Sequence, residues 1–235
     1  MATATPAPGG TIDFGRAFTF VTEDPDWIRK ILIGGAFTLA SGLLVGIPFV
    51  LGYFARTLRN VADGSARPLP EWDDLGGLFN EGLRLAAVYL VYVVGGMIVA
   101  ALPGCLLMFP AMLASSSRHG QGATAALAAL GMVAFYGLMM LLALLQLVYL
   151  PAAMTRVALR GTIQEGFAWQ PIVGFIRANV GNYLLALLMF LVAGFLSQFG
   201  LLLCCVGIFP ATFWAYLVLA SGLGQTVQLH PASLS

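Results

Sequence analysis

Charge is what this sequence has least of. Of its 235 residues only 9% are Asp, Glu, Lys or Arg, 60% are hydrophobic, and mean hydropathy is +0.91. Soluble domains carry about a quarter charged residues. A single aqueous core cannot hide this much apolar surface, so the composition excludes an ordinary soluble domain and predicts a polytopic membrane protein. The net charge of +1 leaves no basic field for nucleic acid. Cysteine is scarce as well: Cys105 stands alone, and Cys204 adjoins Cys205. With no Cys-x-x-Cys and no Cys/His ligand set, these read as small packing residues, not disulfides or metal ligands. Both histidines, His119 and His230, fall outside the apolar runs. No imidazole is therefore placed to activate an intramembrane serine or to ligate a haem. HExxH, GxSxG, a phosphate loop and a dinucleotide fingerprint are all missing. The opening MATATPAPGG has neither a basic n-region nor an apolar h-region, so it is expected to be a tail and not a signal peptide. Residues 1–12 and 227–235 are expected to be tails around one helical membrane domain, 13–226.

What is present in quantity is long apolar sequence. Blocks run over 28–54, 83–113, 123–155, 181–203 and 205–224. Each can cross a hydrocarbon core of about 30 Å, which takes about 20 helical residues. Helices are required, because open sheet edges are not tolerated in lipid. Arginine placement argues for six segments, not five. Arg16, Arg29 and Lys30 precede or open the first block, and Arg56, Arg59, Arg67 and Arg84 follow it. A single crossing would put these basic clusters on opposite faces, whereas a hairpin turning near Gly46 and Pro48 puts both inside. Ile28 to Val61 is only 34 residues, so that hairpin must be short, tilted or partly re-entrant.

A weak repeat supports this layout. VGIPFVLGY at 45–53 resembles VGIFPATFWAY at 206–216. Arg59-x-x-x-x-Gly64 matches Arg156-x-x-x-x-Gly161, with Trp72 and Trp169 eight residues after each glycine. Short amphipathic stretches precede each hairpin: FGRAFTF (14–20), LGGLFNEGLR (75–84) and PIVGFIR (171–177). The expected architecture is all-α, with about six membrane helices in three hairpins and short interfacial helices. The 28 glycines offer close-packing faces, with Gly34, Gly35, Gly95, Gly96 and Gly131 as candidates.

The apolar blocks hold no ionisable residue at mid-membrane depth, which removes the usual groups for proton relay and ion transport. Gln146 and Gln198 read as interhelical hydrogen-bond glue. Chemistry is concentrated instead in RNVADGSARPLPEWDDLGGLF, residues 59–79. Pro68 and Pro70 favour extended backbone. Asp73 or Asp74 can cap a helix starting near Leu75. Trp72 suits a membrane–water interface. Glu71 and the aspartates can pair with Arg56, Arg59 or Arg67. One reading makes the stretch a structural clamp and docking surface, comprising Arg56, Arg59, Gly64, Pro68, Pro70, Glu71, Trp72, Asp73 and Asp74. The other makes Glu71, Asp73 and Asp74 an acidic metal or partner site.

DPDWIRKILIGG, GYFARTLRNVADGSARPLPEWDDLGGLFNEGL, YLPAAMTRVA, NYLLALL and the closing GLGQ together resemble domain-of-unknown-function family 4013, a prokaryotic membrane family. PLPEWDD after RNV-x-[DE]-G is the most specific part. The chain departs from the family in a glycine-rich insert around 115–137 and in the residues after GQ. The resemblance implies a polytopic helical protein and no known activity, substrate or cofactor.

Three roles remain open. The first is a non-enzymatic accessory subunit, possible in an energy-transducing assembly, with the lipid bilayer and other membrane subunits as partners. The second is a small transporter or lipid-handling protein for a neutral substrate. The third is a membrane enzyme using the loop carboxylates. The expected location is the prokaryotic inner membrane with both termini cytoplasmic. Cysteines introduced at Thr5, Ser65 and Ser235 should then resist an impermeant thiol reagent in intact cells, and one at Ser116 should react. Opposite labelling of Thr5 and Ser65 overturns the first hairpin.

Overall fold

The computed structural model describes residues 10–114, 121–202 and 206–230. His119, Cys204, Cys205, Thr5, Ser116 and Ser235 lie outside them. The described residues are helical with no strands, as the lipid constraint on backbone hydrogen bonds demands. Eight α-helices follow in order: α1 Phe14–Thr19, α2 Trp27–Ala40, α3 Ile47–Ala62, α4 Leu75–Ala114, α5 Gln121–Arg160, α6 Trp169–Ala178, α7 Val180–Ser197 and α8 Ile208–Leu229. Among the described residues three stretches are long and apolar enough to cross a membrane: Leu75–Leu102, Ala128–Arg160 and Val180–Leu202.

The first apolar block is broken. A 3-10 turn over Ser41–Leu43 follows α2, Leu44 takes a left-handed conformation (φ 66°), and α3 starts with Pro48 in its first turn. Phe37 and Phe49 stack across the reversal at 4.5 Å, so α2 and α3 run antiparallel. FGRAFTF forms α1 and PIVGFIR lies within α6, both as separate short helices. LGGLFNEGLR does not: it is the opening of α4, because no proline or turn signal follows Arg84 to end the helix.

Two compact units result, one from 1–88 with 151–235 and one from 89–150. In the first, α8 is the centre. Its residues from Leu217 to Val227 are all buried, against α7 on one side and α2 and α3 on others. A helix buried all round carries little amphipathic signal. Small residues let its neighbours close in: Gly222 faces Ala186 of α7, and Gly224 faces the Leu58 carbonyl of α3 at 2.8 Å from where a Cβ would stand. The polar groups on this helix are satisfied internally. Thr226 donates to the Gly222 carbonyl at 2.8 Å, and Gln225 accepts from the Asp13 N–H at 2.8 Å. Asn182 of α7 similarly binds both Gly10 and Ile12.

Gly34 and Gly35 meet Phe213 and Pro210 of α8. In the second unit Gly96 lies against the Gln146 amide, which donates to the Tyr92 carbonyl at 2.8 Å, and Gly131 is buried. A Cβ at Gly95 would meet nothing within 4 Å. Two tighter approaches join α3 to α4, where Gly52 faces the Leu78 carbonyl and Gly82 faces the Pro48 carbonyl. Both glycines oppose backbone, which cannot swing aside. Gly82→Ala should therefore cost about 1–3 kcal/mol, the usual penalty of overpacking. Gly76→Ala, at a position open to space, should be neutral or stabilising by up to about 1 kcal/mol. Thermal unfolding in detergent checks both, and equal effects would disprove the α3–α4 approach.

Candidate functional site

The 59–79 stretch is built outward from the end of α3. That helix closes at Gly64 (φ 72°), with the Gly64 N–H donating to the Val61 carbonyl at 3.0 Å and the Ser65 N–H to the Asn60 carbonyl at 2.9 Å. This paired closure needs a left-handed residue, which glycine adopts without strain. Asn60 then donates its side-chain amide to the Pro68 carbonyl at 2.9 Å, and Tyr53 its hydroxyl to the Pro70 carbonyl at 2.9 Å. Proline carbonyls keep their acceptors while offering no N–H, so these two contacts hold the extended Pro-Leu-Pro against α3. Leu69 is buried beneath it.

Trp72 is buried within the protein, stacked on Tyr53 at 4.4 Å and Phe37 at 5.0 Å, with Phe213 at 6.0 Å. Its indole N–H donates to the Lys30 carbonyl at 3.1 Å. Three aromatic rings and a backbone acceptor thus satisfy the whole side chain, and the loop is anchored through contacts with the protein itself.

Asp74 pairs with Arg56, one of the partners expected from sequence. Glu71 instead pairs with Lys30 at 2.6 Å, not with an arginine. Lys30 is 3% exposed; it also binds Asp24 at 2.8 Å and donates to the Leu69 carbonyl at 3.3 Å. Arg56 pairs with Asp74 at 2.6 Å and with Glu81 at 2.9 Å. Arg59 pairs with Glu81 and donates to the Ala158 carbonyl at 3.3 Å. Arg84 donates to the Gly161 carbonyl at 2.7 Å. Two guanidinium groups thus meet the C-terminal carbonyls of α5, where positive charge is favoured by the helix dipole.

Asp74 is the cap. Its Oδ1 accepts from the Gly77 N–H at 2.9 Å, while Asp73 accepts from the Asp74 N–H at 2.9 Å. The Arg56 hydrogen bond first, and the Gly77 bond second, hold the Asp74 carboxyl below its ordinary value of 3.8. The three loop carboxylates therefore go to three different destinations. Among the described residues no group of three His, Cys, Asp or Glu side chains is placed to hold a metal ion.

The repeated Arg-x-x-x-x-Gly has a structural counterpart. Gly161, like Gly64, has positive φ (74°) and closes its helix, with its N–H donating to the Val157 carbonyl at 2.9 Å. Arg156 pairs with Glu165 at 2.6 Å, as Arg59 pairs with Glu81. The tryptophans diverge, since Trp72 is buried and Trp169 exposed.

The structure brings Arg56, Arg59, Gly64, Pro68, Pro70, Glu71, Trp72, Asp73 and Asp74 into one region. Arg67 takes no part in these pairs among the described residues. Sequence reasoning missed Asp24, Lys30, Tyr53, Asn60, Glu81 and Arg84. One signal was available: Lys30 is the single lysine in the chain. The arrangement binds segments together.

Residues 36–206 match the family described as protein of unknown function (DUF4013). No curated protein and no solved structure matches the chain.

Removing the buried indole with Trp72→Ala should cost about 3–5 kcal/mol. Asp74→Asn should be mild, because Asn keeps the cap and loses only the Arg56 pair. A depressed carboxyl stabilises the fold above its unfolded value and loses that contribution as pH falls through its folded value. Asp74→Asn should accordingly lower stability slightly at neutral pH, where the Arg56 pair is lost, and flatten the decline below pH 3.8, so that the two proteins converge in acid. Thermal melts against pH check this. Lost function in Asp73→Asn with unaltered melting would overturn the clamp.

Proposed function

We propose, for a chain that belongs to the family of unknown function DUF4013, a non-enzymatic structural role as an accessory subunit packed against other integral membrane proteins. In this reading three hairpins, α2–α3, α4–α5 and α7–α8, supply six membrane segments, with α1 and α6 at the interface. The protein sits in a prokaryotic cell membrane with both termini and the clamp on the cytoplasmic side, which the arginine distribution supports.

One observation carries the role. A Cβ at Gly95 on α4, Gly137 on α5 or Gly194 on α7 would meet nothing within 4 Å. Glycine inside a helix is destabilising by roughly 0.5–1 kcal/mol relative to alanine. Glycines that relieve no internal crowding are accounted for by approach from outside, because small faces let a second helix backbone come close. Large exposed apolar side chains flank them: Val94 and Ile98 near Gly95, Met140 and Leu141 near Gly137, Leu191 and Phe195 near Gly194.

Extraction of the native membrane into lipid-retaining polymer discs should bring partner proteins with the chain. Gly95→Leu and Gly137→Leu should release them while leaving the chain folded. Recovery as a stable monomer that binds a small neutral ligand would overturn the subunit role and favour a transporter.

A further inference from the structure

We infer that the first hairpin is re-entrant: α2 and α3 enter the bilayer from the side of the clamp, and Leu43, Leu44 and Val45 end among lipid acyl chains without reaching the far surface. This does not depend on the subunit role.

Length is the first argument. From Lys30 to Ala40 α2 rises about 15 Å, and from Ile47 to Arg56 α3 rises about 14 Å, at about 1.5 Å per residue. Even with the turn added, the tip lies roughly 15–20 Å from the ion-paired layer, against a hydrocarbon core of about 30 Å. Either the tip or the ion pairs must then lie within the hydrocarbon. The carboxylates decide which. Glu71 and Asp74 side chains are 56% and 58% exposed, and Asp73 is exposed too. Ionised groups this open require water or headgroups. The layer of charge sits at the surface, and the tip sits near mid-depth.

The chemistry of the tip agrees. Leu43, Leu44 and Val45 are 81%, 66% and 63% exposed, and no charged residue occurs between Lys30 and Arg56. The hydroxyls nearby turn inward: Ser41 donates to the Phe37 carbonyl at 2.9 Å and Thr38 to the Gly34 carbonyl at 2.8 Å. The turn also bonds part of its own backbone. Leu44 N–H donates to the Ser41 carbonyl at 2.9 Å, Gly46 to Ala40 at 3.3 Å and Ile47 to Leu44 at 3.4 Å. Each such bond lowers the cost of taking these groups away from water.

Leu44 supplies an independent observation. It holds a left-handed conformation (φ 66°) that is costly for a leucine. At Gly64 and Gly161, near the charged groups, the same conformation is filled by glycine. Water around the tip would favour glycine or asparagine there, whereas acyl chains favour a large apolar side chain despite the backbone cost. The neighbouring helix fits the same surroundings. Gly35 of α2 lies beside Pro210 at the start of α8, and the residues flanking that end, Leu202 and Val206, are also exposed and apolar.

The test is a depth measurement in phosphatidylcholine–phosphatidylglycerol vesicles. In a variant with Cys105, Cys204 and Cys205 replaced by serine, a nitroxide is placed at Leu44→Cys or Ser65→Cys. Oxygen should relax the label at 44 several-fold more than an aqueous nickel chelate does, and the order should reverse at 65. Equal access of the chelate to both positions would overturn the inference. Should the cysteine-free chain fail to fold, the wild-type protein serves. A phospholipid bearing a diazirine midway along its acyl chain should tag residues 43–45 several-fold more than one bearing it in the headgroup; the opposite order would overturn the re-entrant hairpin.

Discussion

The ammonium of Lys30 is the group around which the clamp is arranged. A buried cation is costly unless it is paired and hydrogen-bonded, and Lys30 meets both conditions only if two remote segments come to it. Asp24 approaches from the turn before α2, and Leu69 and Glu71 approach from the loop after α3. Asp24 also takes the Asp26 N–H at 2.9 Å, so the same carboxylate orders the entry to α2. On the backbone side, the Lys30 carbonyl accepts the Trp72 indole. One residue therefore grips the loop twice, by its side chain and by its main chain. The extended Pro-Leu-Pro is held between those contacts and the Tyr53 hydroxyl.

Beyond the clamp the constraints change character. In lipid the apolar effect no longer drives helices together, so close packing and internal hydrogen bonds must do so. The glycines of α3, α4 and α8 serve this directly by admitting backbone carbonyls, as at Gly52, Gly82 and Gly224. Polar side chains within the helices turn to partners inside the protein, as Gln146, Thr226 and Asn182 do. The charged layer is what ties the ends of these helices together. Arg56 and Arg59 on α3 share Glu81 on α4, and Arg59 and Arg84 reach the end of α5. Charge in this protein acts as a set of fasteners between helix ends.

Much of this was legible from sequence for physical reasons that are local. Hydropathy over about 20 residues is a property of each segment alone, so the all-helical class followed from composition. The reversal in the first block and a carboxylate cap before Leu75 depend on neighbours within a few residues. Arg56 was among the partners expected for Asp74, but the partner of Glu71 was not legible. Glu71 has Arg67 four residues away but pairs with Lys30, 41 positions back, because packing of α2 against α3 puts the lysine there. Nor could Gly82 be told from Gly76 in a chain of 28 glycines, since only the crossing with α3 distinguishes them.

Sequence by itself determined the class of structure, where its helices turn and where its charge collects. Tertiary structure decided which charge answers which, and that Trp72 is buried among Tyr53, Phe37 and Phe213. It also decided how far the first hairpin's charged layer lies from its tip, the distance on which the re-entrant inference rests. The reason is the same in each case. Backbone propensity and hydropathy act over one to twenty residues, whereas ion pairing, ring stacking and depth depend on which helices meet and at what register.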